Sequence, residues 1–256
     1  MQYIQILPLL ATLASQGTAG PTTLEERQNF NCNSFTPKVV NHDSMRYLPE
    51  SVRSGNPGTV ITNYEPYIHI AHGCRPYPAV DQSGNVNGGL QNSGSPSGGC
   101  NDGTNQQTYV RAKMFDGRFA MMFAWYFPKD QISAGGANAG HRHDWESVVC
   151  WTDDPTGTTT PKFHGCAASG HGDYPRKTQD PRFRDGTHPQ VEYYTNLPTN
   201  HELQFKSGPG RNVAMIDWEK LSPQAQCALN KHSFGKANCP FNDGNFDSNL
   251  RKAWIA

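Results

Sequence analysis

Residues 108–127 read TYVRAKMFDGRFAMMFAWYF, and this stretch decides the fold. Apolar and polar side chains alternate through its first eight residues, which is typical of a β-strand with one buried face. Asp116-Gly117 supports a tight turn, after which the chain resumes with a run rich in aromatic residues. The stretch therefore predicts a β-hairpin whose two strands cover 108–115 and 118–127.

Short strand patterns recur on both sides of this hairpin. Further strands are predicted at 67–71, 145–151, 162–168, 191–194 and 202–205. Short helices are predicted at 42–48, 218–230 and 246–254, and Ser222-Pro223 provides a helix-start pattern within the second of these. Many short strands separated by turns, with few helices, indicate a mainly β protein. The specific prediction is a β-sandwich with a few peripheral helices.

The composition narrows the class of protein. A chain of 256 residues suits one sizeable domain, and its 25 glycines and 19 prolines indicate a loop-rich globular protein. Lys and Arg together number 22, as do Asp and Glu, so the formal net charge is zero. Without a basic excess, neither nucleic acid nor a generally anionic membrane is the expected partner.

The amino terminus is typical of a secretory signal peptide. An apolar core at 4–14 is followed by small residues that end at Gly20. A buried core helix is the alternative, although polar and turn-rich sequence follows, and the apolar run is too short to span a bilayer. We therefore expect a signal peptide at 1–20, a flexible tail at 21–36 and a single domain at 37–256. The mature protein is expected to be secreted and extracellular, without a transmembrane segment, and monomeric in solution.

Seven cysteines in an exported chain favour disulfide bonds. Local context predicts three pairs, which are Cys74–Cys100 around a Gly/Ser/Asn-rich loop, Cys150–Cys166 across a hairpin turn, and Cys227–Cys239 around a helix end. Cys32 is left over as a free thiol, an intermolecular partner or a residue removed by processing. Buried thiols are the alternative for the last two pairs.

Residues 140–146, GHRHDWE, concentrate side chains that can bind a cation. The period of two in a strand places Asp144 and Glu146 on one face, with His141 in the turn before them. Asp130 comes from the end of the preceding strand, across a Gly/Ala-rich stretch. Converging carboxylates repel each other until a cation neutralises them, and oxygen ligands favour Ca²⁺ or Mg²⁺, while the imidazole leaves manganese and zinc open. An ordinary polar turn with weak surface ion pairs is the alternative.

The heptapeptide resembles the hallmark of the necrosis- and ethylene-inducing-peptide-like proteins (NLPs) of plant-associated fungi, oomycetes and bacteria. Five further blocks match the family pattern in order, within a resemblance that runs from about residue 38 to the carboxyl terminus. These blocks cover 73–81, 120–130, 169–172, 198–201 and 234–238. The five cysteines other than Cys74 and Cys100 indicate a cysteine-rich subtype.

The resemblance implies a β-sandwich similar to that of actinoporins and fungal lectins. Family members bind a divalent cation and the sugar head group of plant glycosylinositol phosphorylceramide sphingolipids, and many lyse plant plasma membranes. Some plants also sense the 120–146 region as a sign of invasion, which implies a plant immune receptor as a further partner. The implied protein is a toxin and virulence factor of a plant pathogen and not an enzyme.

The resemblance also assigns residues by motif position. The metal ligands would be Asp130, His141, Asp144 and Glu146. Residues beside the ligands or near the lipid head group would be His201, acting through water, together with His143, Asp81, Asn85 and Leu197. Leu197 stands where some toxic members carry a membrane-inserting Trp, and it buries less apolar area and lacks an indole.

The sequence and the resemblance together are compatible with three functions. The first is a secreted, metal-dependent cytolysin that acts on sugar-bearing membrane lipids and triggers plant necrosis and immunity. The second is a lectin-like protein that binds the same head group without lysis, which Leu197 and the extra cysteines favour. The third is a metallohydrolase in which His143 or His171 is the base that activates a metal-bound water.

Overall fold

The computed structural model describes residues 30–132, 140–196 and 201–256. Within these ranges twelve strands are numbered along the chain: β1 Val39–Val40, β2 Tyr67–Ile70, β3 Val86–Asn87, β4 Thr108–Phe115, β5 Arg118–Gln131, β6 Gly140–Thr152, β7 Phe163–Gly170, β8 Asp173–Thr178, β9 Phe183–Arg184, β10 His188–Thr195, β11 His201–Phe205 and β12 Met215–Asp217. Three α-helices accompany them: α1 Gly55–Asn63, α2 Pro223–Lys231 and α3 Phe246–Lys252. The predicted signal peptide, the Gly/Ala-rich stretch at 133–139 and Leu197 lie outside the described residues.

The strands form two main sheets. The larger sheet has the order β12-β4-β5-β6-β7-β8 and is antiparallel except where β12 pairs with β4. The smaller sheet has the order β11-β10-β2, with β9 paired to β10. Phe127 of β5 stacks on Tyr193 of β10 with ring centroids 3.9 Å apart, so the two sheets face each other. The predicted mainly β sandwich is confirmed.

Strand β5 lies at the centre of the larger sheet and is buried along almost its whole length. Phe127 faces the smaller sheet, whereas Tyr126 packs against Phe234 on the other side. Both faces are covered, which explains why this strand is apolar without alternation. The preceding turn has positive φ at Asp116 and Gly117, the backbone that a two-residue hairpin turn requires.

Each strand predicted from the sequence is present. The two central ones are longer than predicted, because β5 continues to Gln131 and β6 already begins at Gly140. Strand pairing thus extends through the segment that carries the candidate cation ligands. Their placement is set by a ladder of backbone hydrogen bonds and not by a loop.

The helix predicted at 42–48 is wrong, because residues 42–44 form only a single turn. The amide of Tyr47 donates to the Asn105 side chain at 2.9 Å, and that of Leu48 donates to the Gln107 side chain at 2.5 Å. These partners come from a distant segment and replace the hydrogen bonds that a helix would make. Local sequence could not reveal this competition.

Helix α1 was not predicted, because its first residues Gly55-Asn56-Pro57-Gly58 are typical of a turn. Pro57 is tolerated there because the first amides of a helix have no intrahelical partner. Helix α2 begins as predicted at Ser222-Pro223, with the Ser222 hydroxyl accepting a hydrogen bond from an amide in the first turn. No helix within the described residues is long and apolar enough to cross a membrane.

The structure confirms two of the predicted disulfides, Cys74–Cys100 and Cys150–Cys166. The predicted pair Cys227–Cys239 is wrong, because Cys227 is bonded to Cys32, which lies 195 residues away in sequence. Cys239 is a buried free thiol, and burial raises its pKa to about 12. A thiol with such a pKa is unreactive at neutral pH.

The Cys32–Cys227 bond holds the amino-terminal segment on helix α2. Residues Cys32–Ser34 form a short 3₁₀ turn. The Lys231 ammonium group donates to the carbonyl oxygens of Cys32, Asn33 and Phe35. Residues 30–36 are therefore anchored to the domain and do not belong to a flexible tail.

Candidate cation-binding site

Strands β5 and β6 bring the candidate ligands together at one end of the sandwich. Asp130 pairs directly with His141, and Asp144 and Glu146 follow on β6. Asp144 accepts a hydrogen bond at 2.8 Å from Tyr193 of the smaller sheet, so its side chain points between the sheets. All three carboxylates are buried, with at most 6% of each residue exposed.

The first residue of the heptapeptide must be glycine for a steric reason. Gly140 has a φ of 118°, and a Cβ atom there would lie 2.0 Å from the carbonyl oxygen of Asp130. Any other residue would push β6 away from β5 at the point where Asp130 and His141 pair. Gly140 therefore sets the spacing between these two candidate ligands.

Asp130 has one oxygen with a partner and one without. Its Oδ1 lies 2.6 Å from Nδ1 of His201, which is fully buried beside it. Its Oδ2 is buried and has no hydrogen-bond partner among the described residues, and Nε2 of His141 lies 3.6 Å from it. A buried carboxylate oxygen without a hydrogen bond fits a cation ligand.

The neighbouring carboxylates have abnormal acidity. Burial raises the pKa of Asp144, and the nearby charge of Asp130 raises it further. Burial also raises the pKa of Glu146 well above its ordinary value, with repulsion from Asp144 and Asp130 as additional causes. A divalent cation among these groups would replace the repulsion by attraction and favour their charged forms.

The donor set fits a hard divalent cation, with three carboxylates and one imidazole. As they stand, the described residues contain no group of three His, Cys, Asp or Glu side chains already gathered tightly enough to hold a metal ion. Two of the carboxylates are engaged elsewhere, Asp144 with Tyr193 and Glu146 with the Ser169 hydroxyl. Holding an ion would require these side chains to turn away from their present partners.

A cavity of about 410 Å³ opens beside the cluster. His141, Asp144, Glu146 and His201 form one part of its wall. Most of the remaining wall is polar and includes Ser169, His171, Tyr174, Lys236, Asn238 and Lys252. Its volume and its hydroxyl, amide and ammonium groups suit a small polar ligand such as a sugar.

Not every predicted residue reaches this cavity. Asp81 accepts hydrogen bonds from the backbone and the side chain of Asn85, so the two residues close their own loop and do not line the cavity. His143 is buried behind the cavity wall, with Nδ1 2.6 Å from the Tyr126 hydroxyl. Leu197 lies outside the described residues.

Other residues of the site were missed or only partly foreseen. Tyr193 bonds to Asp144, yet nothing in its local sequence distinguishes it from a core tyrosine. Ser169 and His171 belong to the block at 169–172, which matches the family pattern. The match indicated that this block matters, but it assigned no role to the serine. Lys236 belongs in the same way to the block at 234–238.

The fold and the site define a β-sandwich protein with a buried carboxylate cluster beside a polar cavity. The chain belongs to the family described as Necrosis inducing protein (NPP1), whose model matches residues 58–253. The family membership expected from the heptapeptide is thereby confirmed.

Relatives and solved structures agree with this assignment. NLP effector protein 10 of Phytophthora capsici is 38% identical over 218 residues, covering 84% of this chain and 92% of the relative. A structure described as NLPPya in complex with mannosamine is 34% identical with a TM-score of 0.76, covering 85% of this chain and 100% of that one. The crystal structure of the non-toxic HaNLP3 protein is 34% identical with a TM-score of 0.77, covering 83% and 98%.

Proposed function

We propose that this protein is a secreted, cation-dependent cytolysin of a plant pathogen that binds the sugar head groups of plant glycosylinositol phosphorylceramides. The observation that carries the proposal is the cluster of three buried carboxylates beside a polar cavity. A cluster of like charges is costly in a folded protein unless an ion or ligand compensates it.

Within this proposal each part of the site has a task. Asp130, His141, Asp144 and Glu146 would hold Ca²⁺ or Mg²⁺, which supplies a Lewis acid for sugar hydroxyl groups when bound. His201 fixes Asp130 through the 2.6 Å contact between them. Hydroxyl, amide and ammonium groups of the cavity wall would orient the sugar through hydrogen bonds. Recognition would place the protein at the membrane surface, where lysis and plant necrosis follow.

The relatives support recognition of a sugar and a role in attack on plants. The NLPPya structure contains mannosamine, and the Phytophthora capsici relatives are named effector proteins. We accordingly include a plant immune receptor as a second partner, in keeping with the similarity of residues 120–146 to the pattern that plants sense.

A lectin-like binder without lytic activity is the second candidate. It is favoured by the HaNLP3 protein, which shares the fold and is described as non-toxic. Because a protein described as non-toxic shares the fold, membrane damage depends on features other than the fold itself. Leu197, in place of a membrane-inserting Trp, is one such feature.

A metallohydrolase is the least supported function. Burial lowers the pKa of His143 to about 4, with the nearby His232, Arg142 and His141 contributing, and its ring does not line the cavity. A general base needs a pKa near the operating pH and access to the substrate. His171, the other candidate base, does line the cavity, but the relatives are named effector proteins and a similar structure is described as a toxin fold. We therefore propose a non-enzymatic mode of action.

Dye leakage from vesicles tests the proposal. Vesicles with and without plant glycosylinositol phosphorylceramide would be incubated with the protein, in Ca²⁺ or Mg²⁺ or in chelator. The cytolysin predicts leakage only with both sphingolipid and cation. Cation-dependent co-flotation with the same vesicles without leakage would select the lectin-like binder. If the protein neither binds the vesicles nor causes leakage, both the cytolysin and the lectin-like binder are rejected.

A further inference from the structure

His143 has an unusual backbone for its place in the fold. Non-glycine residues with positive φ in the described part of the chain are Asp116, His143, His171 and Asp185. Three of them lie in turns, whereas His143, with a φ of 62°, lies inside strand β6. This left-handed conformation is costly for a residue with a Cβ atom, and it persists only when its surroundings enforce it.

The conformation changes which side chains share a face of β6. In a regular strand His141 and Asp144, three residues apart, would point to opposite faces. Here both lie on the side of the smaller sheet: Asp144 accepts from Tyr193 of β10, and Nε2 of His141 lies 3.6 Å from Asp130, which contacts His201 of β11. The ladder between β5 and β6 pairs Phe127 with Asp144 and Lys129 with Arg142, but it skips His143. The left-handed residue therefore interrupts the alternation and brings His141 round to the side of Asp144.

The partner strand tolerates this interruption. The residue of β5 opposite the skipped position is Pro128, which has no amide hydrogen to donate to a ladder. Its carbonyl oxygen accepts instead from the Leu90 amide at 2.8 Å. No backbone partner of Pro128 is therefore lost when β6 departs from regular pairing.

The His143 ring is held from several directions. Its Nδ1 lies 2.6 Å from the Tyr126 hydroxyl, and Phe234 packs edge-on against the ring. Gly89 approaches so closely that a Cβ atom there would lie 2.7 Å from Nδ1. The Tyr126 hydroxyl is also 3.3 Å from the Asn87 side chain. A ring enclosed in this way prevents the backbone from relaxing to an ordinary strand.

The His143 carbonyl group acts on His141 directly. It lies 2.7 Å from Nδ1 of His141, and a carbonyl oxygen only accepts, so Nδ1 must carry the proton. In the neutral ring this leaves Nε2 as the basic nitrogen, and Nε2 is the atom 3.6 Å from Asp130 Oδ2. The same residue thus sets both the direction and the tautomer of His141.

We propose that His143 is a positioning residue whose left-handed backbone and enclosed ring turn His141 towards the candidate cation site, an inference that rests on the proposed cation dependence. It does not touch the cation or the sugar. It acts by placing His141 and Asp144 together and by presenting Nε2 of His141.

Two substitutions of His143 distinguish the effect of its backbone conformation from the effect of its ring. Gly tolerates positive φ, whereas the β-branched Val strongly disfavours it. We expect His143→Val to weaken Ca²⁺ or Mg²⁺ affinity about tenfold or more, measured by titration calorimetry, and His143→Gly to weaken it less. Met121→Ala removes a buried side chain of β5 away from the cluster and serves as the matched control for lost stability.

A second measurement decides the inference without a cation. Nitrogen-15 NMR of the His141 ring should show the Nδ1-protonated form in the wild type and in Met121→Ala, and its loss in His143→Val. Wild-type affinity together with a wild-type ring in His143→Val would overturn the inference. If the wild-type protein binds neither ion, the proposed function fails, and the ring state still decides whether His143 positions His141.

Discussion

Strand β6 has two halves with different surroundings. From Val148 to Trp151 it pairs with β5 on one side and β7 on the other, and a disulfide joins Cys150 to Cys166 directly opposite. In the half from Gly140 to Glu146 the backbone has two positive φ values, the side chains include two buried carboxylates, and β7 no longer pairs. We therefore expect the regular half, Val148 to Trp151, to stabilise the fold. The irregular half, Gly140 to Glu146, is expected to lower the stability of the fold in return for binding.

The largest effect on stability should come from the regular half. Trp151 is fully buried, and its indole donates to the carbonyl oxygen of Ala253 at 3.0 Å. We expect Trp151→Ala to lower the free energy of unfolding by about 3–5 kcal/mol in chemical denaturation. Cation affinity, measured where the variant is still folded, should be unchanged. A loss of affinity without a loss of stability would reverse the proposed division of the strand.

The disulfide of the regular half should have the next largest effect. Its cysteines are 16 residues apart, and replacing both Cys150 and Cys166 by Ala should cost about 3 kcal/mol of unfolding free energy. Cys239→Ala is the control, because it removes a buried sulfur without a covalent link. Equal destabilisation by the double variant and the control would show that the bond contributes little.

The opposite behaviour is expected in the irregular half. Asp144→Asn should weaken Ca²⁺ or Mg²⁺ affinity about 100-fold or more, because it removes a charged ligand. Without cation the variant should be at least as stable as the wild type, since a buried and repelled carboxylate has been removed. Calorimetric titration and denaturation in chelator measure the two effects. The exposed Asp180→Asn is the charge-matched control.

The smallest effect is a slope of stability with pH. The pKa values of Asp144 and Glu146 are raised in the folded protein, so the folded chain retains protons that the unfolded chain has released. In chelator, the contribution of these two groups to the free energy of unfolding should therefore fall as pH rises above about 4, by up to about 1.4 kcal/mol per pH unit for each proton.

A saturating cation should flatten or reverse this slope, because it binds the deprotonated carboxylates. Denaturation at a series of pH values, with chelator or with Ca²⁺, measures both slopes. The double variant Asp144→Asn with Glu146→Gln should lose the part of the slope in chelator that these two carboxyl groups contribute. The remaining slope belongs to groups such as Glu65, whose pKa burial raises to about 8, and His143, whose lowered pKa contributes with the opposite sign. A wild-type slope in that variant would assign the protons to other groups.

The regular parts of the fold were predictable because their signals are local. The turn at Asp116-Gly117 and the apolar run after it were sufficient for the central hairpin, and the pairing of Cys150 with Cys166 followed from two strands around one turn. The helix predicted at 42–48 failed because the side chains of Asn105 and Gln107, far along the chain, hydrogen-bond the backbone there.

The candidate site was predictable only in part. The heptapeptide and Asp130 indicated which side chains matter, and the period of two correctly placed Asp144 beside Glu146. The same period would have placed His141 on the other face, and only the positive φ of His143 corrects this. A single positive φ inside a strand cannot be predicted from the hydrophobic pattern of the sequence.

The sequence by itself determined the central hairpin, the sandwich class and the family, because alternation, turn residues and a rare heptapeptide are properties of neighbouring residues. Only the tertiary structure decided the bond between Cys32 and Cys227, 195 residues apart, and the contact of His201 with Asp130 across 71 residues. Such contacts form only when folding brings distant segments together, so a pattern of neighbouring residues cannot predict them.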